Sequence, residues 1–332
     1  YATDTYNIIN KGYETYAITY SLNDGRPIMC LISLIAQKLN MPIMVYVIIL
    51  TAIALIVSNI SVIKLKNITV KYIEEKNKKT EYIILAIAYI IIFNFAYLEN
   101  LQFAECAIMS VSILLNIIAA QQIVEKKKNY ILKSIIISIL SIQFYQGTMN
   151  WLFTITFVLS LLKEKKINMQ VIKNVLFSVL CGALGCGVNM IQIKITGKIF
   201  GLTQSRMGSI KNIFSNINVI LENLNGTLQS TYGLFPKNML YIFLIVILIY
   251  SLIFMRKNKS NITLNLLTII LICIGTVYGP SLFTLSAFGT GRMAFSIGAM
   301  IGLMLLYIYC NLENNKIEEA ILYSIMFLYI FI

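Results

Sequence analysis

The sequence is dominated by apolar stretches that are about as long as membrane-spanning helices and are separated by short polar segments. A spanning α-helix needs about 20 predominantly apolar residues. Such stretches recur along the whole chain, at 42–63, 82–98, 106–124, 130–144, 149–162, 171–192, 239–255, 262–282, 292–310 and 317–332. We therefore predict an all-α, polytopic transmembrane helix bundle with about ten spans, formed by residues 1–332 as a single domain.

The composition excludes an ordinary soluble enzyme. Only 12% of the residues are charged, whereas a soluble domain carries about 25%. The chain has no His, which excludes catalysis and metal sites that depend on imidazole. Its six cysteines form no CxxC pair. We predict no metal and no other cofactor, with a divalent ion left as an alternative.

The net charge of +13 follows membrane topology. Of the 27 Lys and Arg residues, 18 lie in the short segments 64–81, 125–133, 163–173, 256–261 and 311–316. Basic loops face the cytoplasm, so the remaining segments, with 9 basic residues, lie outside. Nucleic-acid-binding proteins instead gather basic residues on one face, and we predict no nucleic-acid partner.

Two long segments, 1–41 and 193–238, lie on the outer side in this topology. Residues 27–39 show helical apolar periodicity but are too short to span, which predicts a helix lying on the membrane lipid. Residues 210–224 are periodic as well and could form a second such helix. The chain begins Tyr-Ala-Thr-Asp without Met, and we expect a further membrane helix before residue 1 in a longer protein.

Carboxylates on the outer side are the first candidates for chemistry. Asp4 and Asp24 are the only aspartates of the chain, and either could be a solvated loop residue or a general base for an attacking hydroxyl. Glu99 and Glu105 occupy the outer segment 99–105, which has no Lys or Arg. They could be solvated, could bind sugar hydroxyls, or could pair with an external arginine.

Three of the four arginines lie outside, against the charge bias, and glycine lies close to each of them: Arg26, Arg206 and Arg292. The planar guanidinium suits bidentate phosphate binding. At least one of the three could instead be a snorkelling side chain at a helix end. On the same side, Gln143, Tyr145 and Gln146 end a span, where they could bind sugar hydroxyls or cap the helix.

Glycine pairs at helical spacing occur within two spans. Gly275-xxx-Gly279 and Gly298-xxx-Gly302 are typical of close helix packing in membranes. We predict a packing role for both pairs.

The order of these landmarks resembles the bacterial Gtr-type glucosyltransferases that modify O-antigen and related surface glycans. The resemblance is carried by Ala2-Thr3-Asp4-Thr5-Tyr6-Asn7, Asn23-Asp24-Gly25-Arg26-Pro27, Leu98-Glu99-Asn100-Leu101-Gln102-Phe103, Tyr145-Gln146 and an arginine that opens a late helix. It covers most of the chain. It implies a polytopic glycosyltransferase with the GT-C fold in the cytoplasmic membrane of a bacterium, with its active site facing outside.

The resemblance also implies roles for individual residues. Asp4 matches the expected catalytic base, and Glu99 matches the acidic position of the next outer loop. Glu105 lies where such proteins often carry an acid, and Asp24 is a further candidate catalytic carboxylate. Arg26 would hold the donor phosphate or brace its loop. The family commonly has paired acids where this sequence has Thr3-Asp4.

The implied reaction moves a sugar, most simply glucose, from a polyprenyl-phosphate donor to a hydroxyl of a surface glycan. External arginines would stabilise the departing lipid phosphate, and the base would deprotonate the acceptor. Two other classes stay open. A transporter or flippase would use the uncharged polar groups within spans, such as Asn94, Asn116, Gln121 and Asn189, whereas a polysaccharide polymerase or ligase would use external Arg and Tyr.

Overall fold

The computed structural model describes residues 3–73, 77–202, 213–254, 261–283, 291–312 and 316–331. These residues are helical almost throughout and contain no strand. The α-helices are α1 (Thr3–Thr15), α2 (Pro27–Lys38), α3 (Ile43–Thr69), α4 (Lys78–Ile92), α5 (Phe95–Asn100), α6 (Cys106–Glu125), α7 (Tyr130–Phe144), α8 (Met149–Glu164), α9 (Met169–Phe200), α10 (Ile213–Ser230), α11 (Met239–Phe254), α12 (Ile262–Tyr278), α13 (Phe295–Gly298), α14 (Met300–Tyr309) and α15 (Lys316–Phe331). The predicted all-α class is confirmed.

Four helical segments of the described chain are long and apolar enough to cross a membrane: Ile43–Tyr72, Cys106–Glu125, Met169–Phe200 and Ile262–Leu282. Backbone groups within a bilayer must be satisfied internally, which an α-helix achieves along its own length. The chain is therefore a membrane protein. The remaining predicted spans coincide with shorter apolar helices, and the count of about ten spans stays a prediction.

The predicted span 82–98 is not one continuous helix, because a buried asparagine interrupts it. The Asn94 side-chain amide donates to the Ile91 carbonyl at 2.7 Å, and its Oδ1 accepts from the backbone N–H of Ala96 at 3.0 Å. The side chain thus ends α4 and starts α5. Likewise, the predicted span 292–310 divides into a short turn and helices α13 and α14.

Segment 1–41, which was predicted to lie outside, contains more helix than its apolar pattern indicated. Besides α2, which confirms the helix predicted at 27–39, it forms α1 and a π-helical stretch, Tyr16–Leu22. Proline at the first position of α2 suits that helix start, where no intrahelical bond requires its nitrogen. Segment 193–238, the other one predicted to lie outside, begins with the end of α9 and contains α10, which overlaps the periodic residues 210–224.

Two compact units make up the chain. The first comprises Tyr1–Ser61, Leu98–Phe153 and Leu176–Met207, and the second comprises Val62–Tyr97, Thr154–Val175 and Gly208–Ile332. The core of the first unit includes Tyr16, Met29, Tyr46, Ile108 and Tyr145, all nearly inaccessible to solvent.

In the second unit, α4 packs closely against α14, and α13 packs against the residues that follow α4. A Cβ atom on Gly302 would lie 3.0 Å from the backbone nitrogen of Ile91, and one on Gly298 would lie 2.0 Å from Asn94 Oδ1. The packing role predicted for these two glycines is confirmed. The other pair differs, because a Cβ atom on Gly275 would contact nothing within 4 Å.

A buried cluster of small polar side chains fixes the break between α7 and α8 in the first unit. Ser112 Oγ lies 2.8 Å from Ser141 Oγ and also bonds the Thr148 hydroxyl. Asn116 Nδ2 donates to the Thr148 carbonyl at 2.8 Å. The Thr148 hydroxyl in turn donates to the Tyr145 carbonyl at 3.1 Å. Because these groups satisfy one another away from water, the turn that carries Tyr145 is held in one conformation.

Candidate functional site

A tight turn over residues 23–27 joins the π-helical stretch to α2 and carries two of the predicted site residues. The backbone N–H of Arg26 donates to the Ser21 carbonyl at 2.8 Å, and that of Gly25 donates to the Leu22 carbonyl at 3.0 Å. Gly25 has a φ of +75°, a conformation that glycine adopts at little steric cost. The turn places Arg26 at the residue that precedes α2.

Arg26 forms a buried ion pair with Glu105. Arg26 Nη1 donates to Glu105 Oε2, and the Tyr16 hydroxyl donates to the other carboxylate oxygen, Oε1, at 3.0 Å. Arg26 is 8% exposed and Glu105 is 1% exposed. Charged groups are rarely buried unless they are paired, and here each carboxylate oxygen of Glu105 has a donor. The pairing with Arg26, one of the alternatives open for Glu105, is thus confirmed.

Arg26 also lies close to a second carboxylate and to an aromatic ring. Its Nη2 is 3.7 Å from Asp24 Oδ2, and its guanidinium carbon lies 5.0 Å from the centre of the Tyr145 ring. Burial by itself would lower the pKa of Arg26, but the negative charges of Glu105 and Asp24 outweigh burial and hold that pKa above its ordinary value. The guanidinium therefore stays charged, and its buried Nε has no hydrogen-bond partner among the described residues.

Two side-chain amides from distant parts of the chain bind the backbone of this turn. Gln146 Nε2 donates to the carbonyls of Asp24 at 2.7 Å and Gly25 at 2.9 Å, and it lies 2.9 Å from Asn189 Oδ1. Asn189 Nδ2 donates to the Gly25 carbonyl at 2.7 Å. Gln146 starts the turn after α7, whereas Asn189 lies on α9 and is 3% exposed.

The predicted acids are only partly brought together. Asp24 and Glu105 both lie beside Arg26. Glu99 is partly buried near the end of α5. Asp4 belongs to α1, but its side chain lies outside the part of the structure that is described.

Of the three predicted arginines, the structure places only one in this cluster. Arg26 lies in the cluster described above. Arg206 falls outside the described residues, and Arg292 lies in the turn Gly291–Met293 of the second unit, partly exposed.

The predicted aromatic and amide residues gather around Arg26 and its turn. The Tyr145 ring lies against the guanidinium, and Gln146 binds the turn. Gln143 Oε1 lies 3.5 Å from Asn189 Nδ2. Tyr16 and Asn189 were not predicted as site residues. The only available signal for Asn189 was a polar residue inside an apolar stretch, and the sequence offered none for Tyr16.

The cluster has one cation and two carboxylates, and therefore a net charge of −1 when all three groups are ionised. Glu105 is buried and holds Arg26, whereas the Asp24 side chain is 21% exposed. Asp24 is thus the more accessible of the two carboxylates. No group of three or more Cys, Asp or Glu side chains in the described ranges could hold a metal ion.

Comparison with known proteins agrees with the resemblance. Residues 1–309 match the family model Glucosyl transferase GtrII. No curated protein and no solved structure matches the chain significantly. Because the match covers most of the sequence, the chain is a glycosyltransferase, and it belongs to the GtrII glucosyl transferase family.

Proposed function

We propose that this enzyme transfers glucose from a polyprenyl-phosphate donor to a hydroxyl of a surface glycan such as O-antigen. The reaction would take place on the outer face of the bacterial cytoplasmic membrane, with residues 1–332 acting as one GT-C-like catalytic domain. The observation that carries the proposal is the match to the glucosyl transferase family over residues 1–309. The four apolar helices support it, because a lipid-linked donor requires an enzyme in the membrane.

Two chemical tasks follow from such a reaction. The acceptor hydroxyl must lose a proton as it attacks the anomeric carbon, and a positioned carboxylate increases the rate of such a step by about 10²–10⁴-fold. The bond from the sugar to the lipid phosphate must break, and the phosphate that leaves requires positive charge nearby. We assign the first task to Asp4, with Asp24 as the second candidate because it is partly exposed beside Arg26.

The second task suits the other arginines better than Arg26. Arg26 is already balanced by Glu105, which supports the bracing role that the resemblance left open for it. We therefore propose that Arg206 and Arg292 bind the donor phosphate.

The remaining predicted site residues differ in whether their hydrogen-bonding groups are already used within the protein. Glu105 is bonded by Arg26 and Tyr16, so we propose that it positions Arg26 and does not take a proton. Glu99, Gln143 and Tyr145 remain the proposed contacts to sugar hydroxyls. No divalent metal enters this scheme.

The experiment measures transfer of radiolabelled glucose from glucosyl polyprenyl phosphate to the surface glycan in membranes that contain the full-length protein. Asp4→Asn, Asp24→Asn and Arg292→Gln are compared with wild type at matched expression. The control is Glu222→Gln, which neutralises an exposed carboxylate on α10. We expect Asp4→Asn to abolish transfer, Arg292→Gln to raise the KM for the donor, and the control to resemble wild type.

Each other outcome changes a specific part of the proposal. Full activity in Asp4→Asn together with loss in Asp24→Asn would move the base to Asp24. Absence of transfer by wild type with this donor would overturn the proposed donor and direct attention to the polymerase and transporter alternatives.

A further inference from the structure

We propose that Gln146 and Asn189 are positioning residues that hold the turn over residues 23–27, so that Asp24 and Arg26 take their places in the site. The catalytic consequence of this inference rests on the proposed function, but the positioning itself does not. Gln146 was expected to bind sugar or to cap a helix, and Asn189 was not expected in the site at all.

The hydrogen bonds of Gln146 and Asn189 converge on the backbone of the turn over residues 23–27. The two amide hydrogens of Gln146 face the carbonyls of Asp24 and Gly25 and the Asn189 side chain, at 2.7–2.9 Å. Asn189 adds a second donor to the Gly25 carbonyl at 2.7 Å. A turn between two helices leaves carbonyls without helical partners, and a buried carbonyl without a donor is costly. These two side chains supply donors to the carbonyls of the turn.

Steric contact at Gly25 supports the same assignment independently. A Cβ atom at this position would lie 2.6 Å from both Asn189 Oδ1 and Gln146 Nε2. Such a distance is far below ordinary van der Waals contact, so the two amides fit against the turn only because residue 25 has no side chain. The positive φ of Gly25 adds a second reason for glycine at this position.

Both amides are carried by rigid parts of the first unit. Gln146 directly follows Tyr145, whose carbonyl accepts from the buried hydroxyls of Ser112 and Thr148. Asn189 is buried on a long helix, α9. A site is positioned well when the side chains that support it are themselves held by packing and hydrogen bonds.

The contacts of Gln146 distinguish a positioning role from direct sugar binding. Its amide N–H groups are directed at the turn and at Asn189. They are therefore not available as donors to a sugar hydroxyl while the turn is in place. Loss of Gln146 should release the turn first and affect the reaction only as a consequence.

Hydrogen exchange tests the positioning without any substrate. The backbone amides of Asp24, Gly25 and Arg26 donate to carbonyls of the preceding π-helical stretch, Tyr16–Leu22. The rate at which these amides exchange therefore reports how firmly the turn is held. In Gln146→Ala, peptides that cover residues 21–30 should exchange about tenfold faster than in wild type, because a hydrogen bond to a buried carbonyl is lost. The near-isosteric variant Asn189→Asp should accelerate the same peptides, and it serves as the second variant if Gln146→Ala does not fold.

The matched control is Gln102→Ala, which removes an exposed glutamine in the same unit. It should leave exchange of residues 21–30 unchanged. Unchanged exchange in both Gln146→Ala and Asn189→Asp would overturn the proposal.

Kinetics then separate positioning from direct binding. With glucosyl polyprenyl phosphate as donor, Gln146→Ala should lower kcat about tenfold or more and leave the KM for the donor within about twofold of wild type. The reason is that release of the turn displaces Asp24, the second candidate for the base, but not Arg206 and Arg292, the proposed phosphate ligands. A raised KM with unchanged exchange would identify Gln146 as a substrate contact and overturn the positioning role. If wild type transfers no glucose, the proposed function fails, and the exchange result still decides the inference.

Discussion

Arg26 and Glu105 are separated by 79 residues in the sequence, yet Arg26 Nη1 donates directly to Glu105 Oε2 in the interior of the first unit. The turn before α2 presents the guanidinium, and the residue that precedes α6 presents the carboxylate. Tyr16 donates to the second carboxylate oxygen. Because each charge compensates the other in a buried setting, the pair ties segment 1–41 to the start of α6, a helix long and apolar enough to cross a membrane.

Breaking this pair from one side should destabilise the protein strongly. Glu105→Ala leaves the buried Arg26 guanidinium with only the more distant Asp24 carboxylate, 3.7 Å away, as a counter-charge. Removal of one partner costs about 3–5 kcal/mol in comparable buried pairs. The double variant Arg26→Met with Glu105→Leu should recover most of that loss, because neither charge of the pair remains. Unfolding of the purified protein in detergent measures both effects.

An ion pair in the second unit provides the control for this experiment. Lys79 pairs with Glu319, and the Lys79 side chain is 60% exposed. Lys79→Ala should therefore leave stability nearly unchanged, since exposed pairs contribute little. Equal losses at the two pairs would contradict the importance of burial for Arg26 and Glu105.

The stabilisation by Arg26 should not depend on pH across the neutral and alkaline range. The pKa of Arg26 lies above its ordinary value because Glu105 and Asp24 outweigh the effect of burial. A group with a raised pKa in the folded state contributes stability at lower pH and loses it only as the pH passes that pKa. The Tm difference between wild type and the double variant should thus stay constant from about pH 7 to about pH 10, well below the ordinary pKa of arginine. A difference that shrinks steadily as the pH rises would contradict this prediction.

Tyr16→Phe should weaken the same cluster by removing one donor. The Tyr16 hydroxyl lies 3.0 Å from Glu105 Oε1, and the residue is fully buried. A hydrogen bond to a charged group contributes about 1.5–3 kcal/mol, so unfolding should require correspondingly less denaturant. Tyr6→Phe changes a tyrosine that is 54% exposed and should have no effect. Equal stability of the two variants would show that the phenol does not support Glu105.

Two glycines of the second unit should respond oppositely to alanine. In Gly298→Ala the new methyl group would lie 2.0 Å from Asn94 Oδ1 and 3.1 Å from Ala96 Cβ. Asn94 caps α5, so its displacement would cost a cap as well as packing, and we expect a loss of several kcal/mol. Gly275→Ala meets nothing within 4 Å and should be neutral or slightly stabilising, because alanine favours helix. Thermal unfolding of both variants checks the contrast, and a fully stable Gly298→Ala would contradict it.

The predicted topology can be tested with reporter fusions. An enzyme reporter that is active only outside the cell should be inactive when fused within the Lys-rich segments 64–81 and 125–133. It should be active when fused within 99–105 or 193–238. The opposite pattern would reverse the orientation, and equal activity at 64–81 and 99–105 would remove the span between them from the predicted count.

The sequence predicted the parts of the structure that depend on local pattern. Helix α2 was predicted from apolar periodicity, and the break between α7 and α8 falls where two apolar stretches were separated. The break at Asn94 was missed, because one asparagine in an apolar run can either remain in a helix or cap the next one. Its contacts with Ile91 and Ala96 decided between the two.

The candidate site, too, could be predicted from the sequence only in part. The sequence indicated that Arg26 and Glu105 are unusual charges on the predicted outer side, and pairing was one open alternative for Glu105. It could not choose among three arginines as partners, and it offered no reason to consider Tyr16. Those choices depend on which helices lie next to each other.

By itself, the sequence determined that the chain is helical and lies in a membrane, because hydropathy and charge placement act on each segment separately. Only the tertiary structure decided that Gln146 and Asn189 donate hydrogen bonds to the turn at Gly25 and that Glu105 pairs with Arg26. The physical reason is that hydrogen bonds and buried ion pairs require atoms within about 3 Å and in good alignment. Such proximity arises from packing between residues far apart in the chain, which no local pattern records.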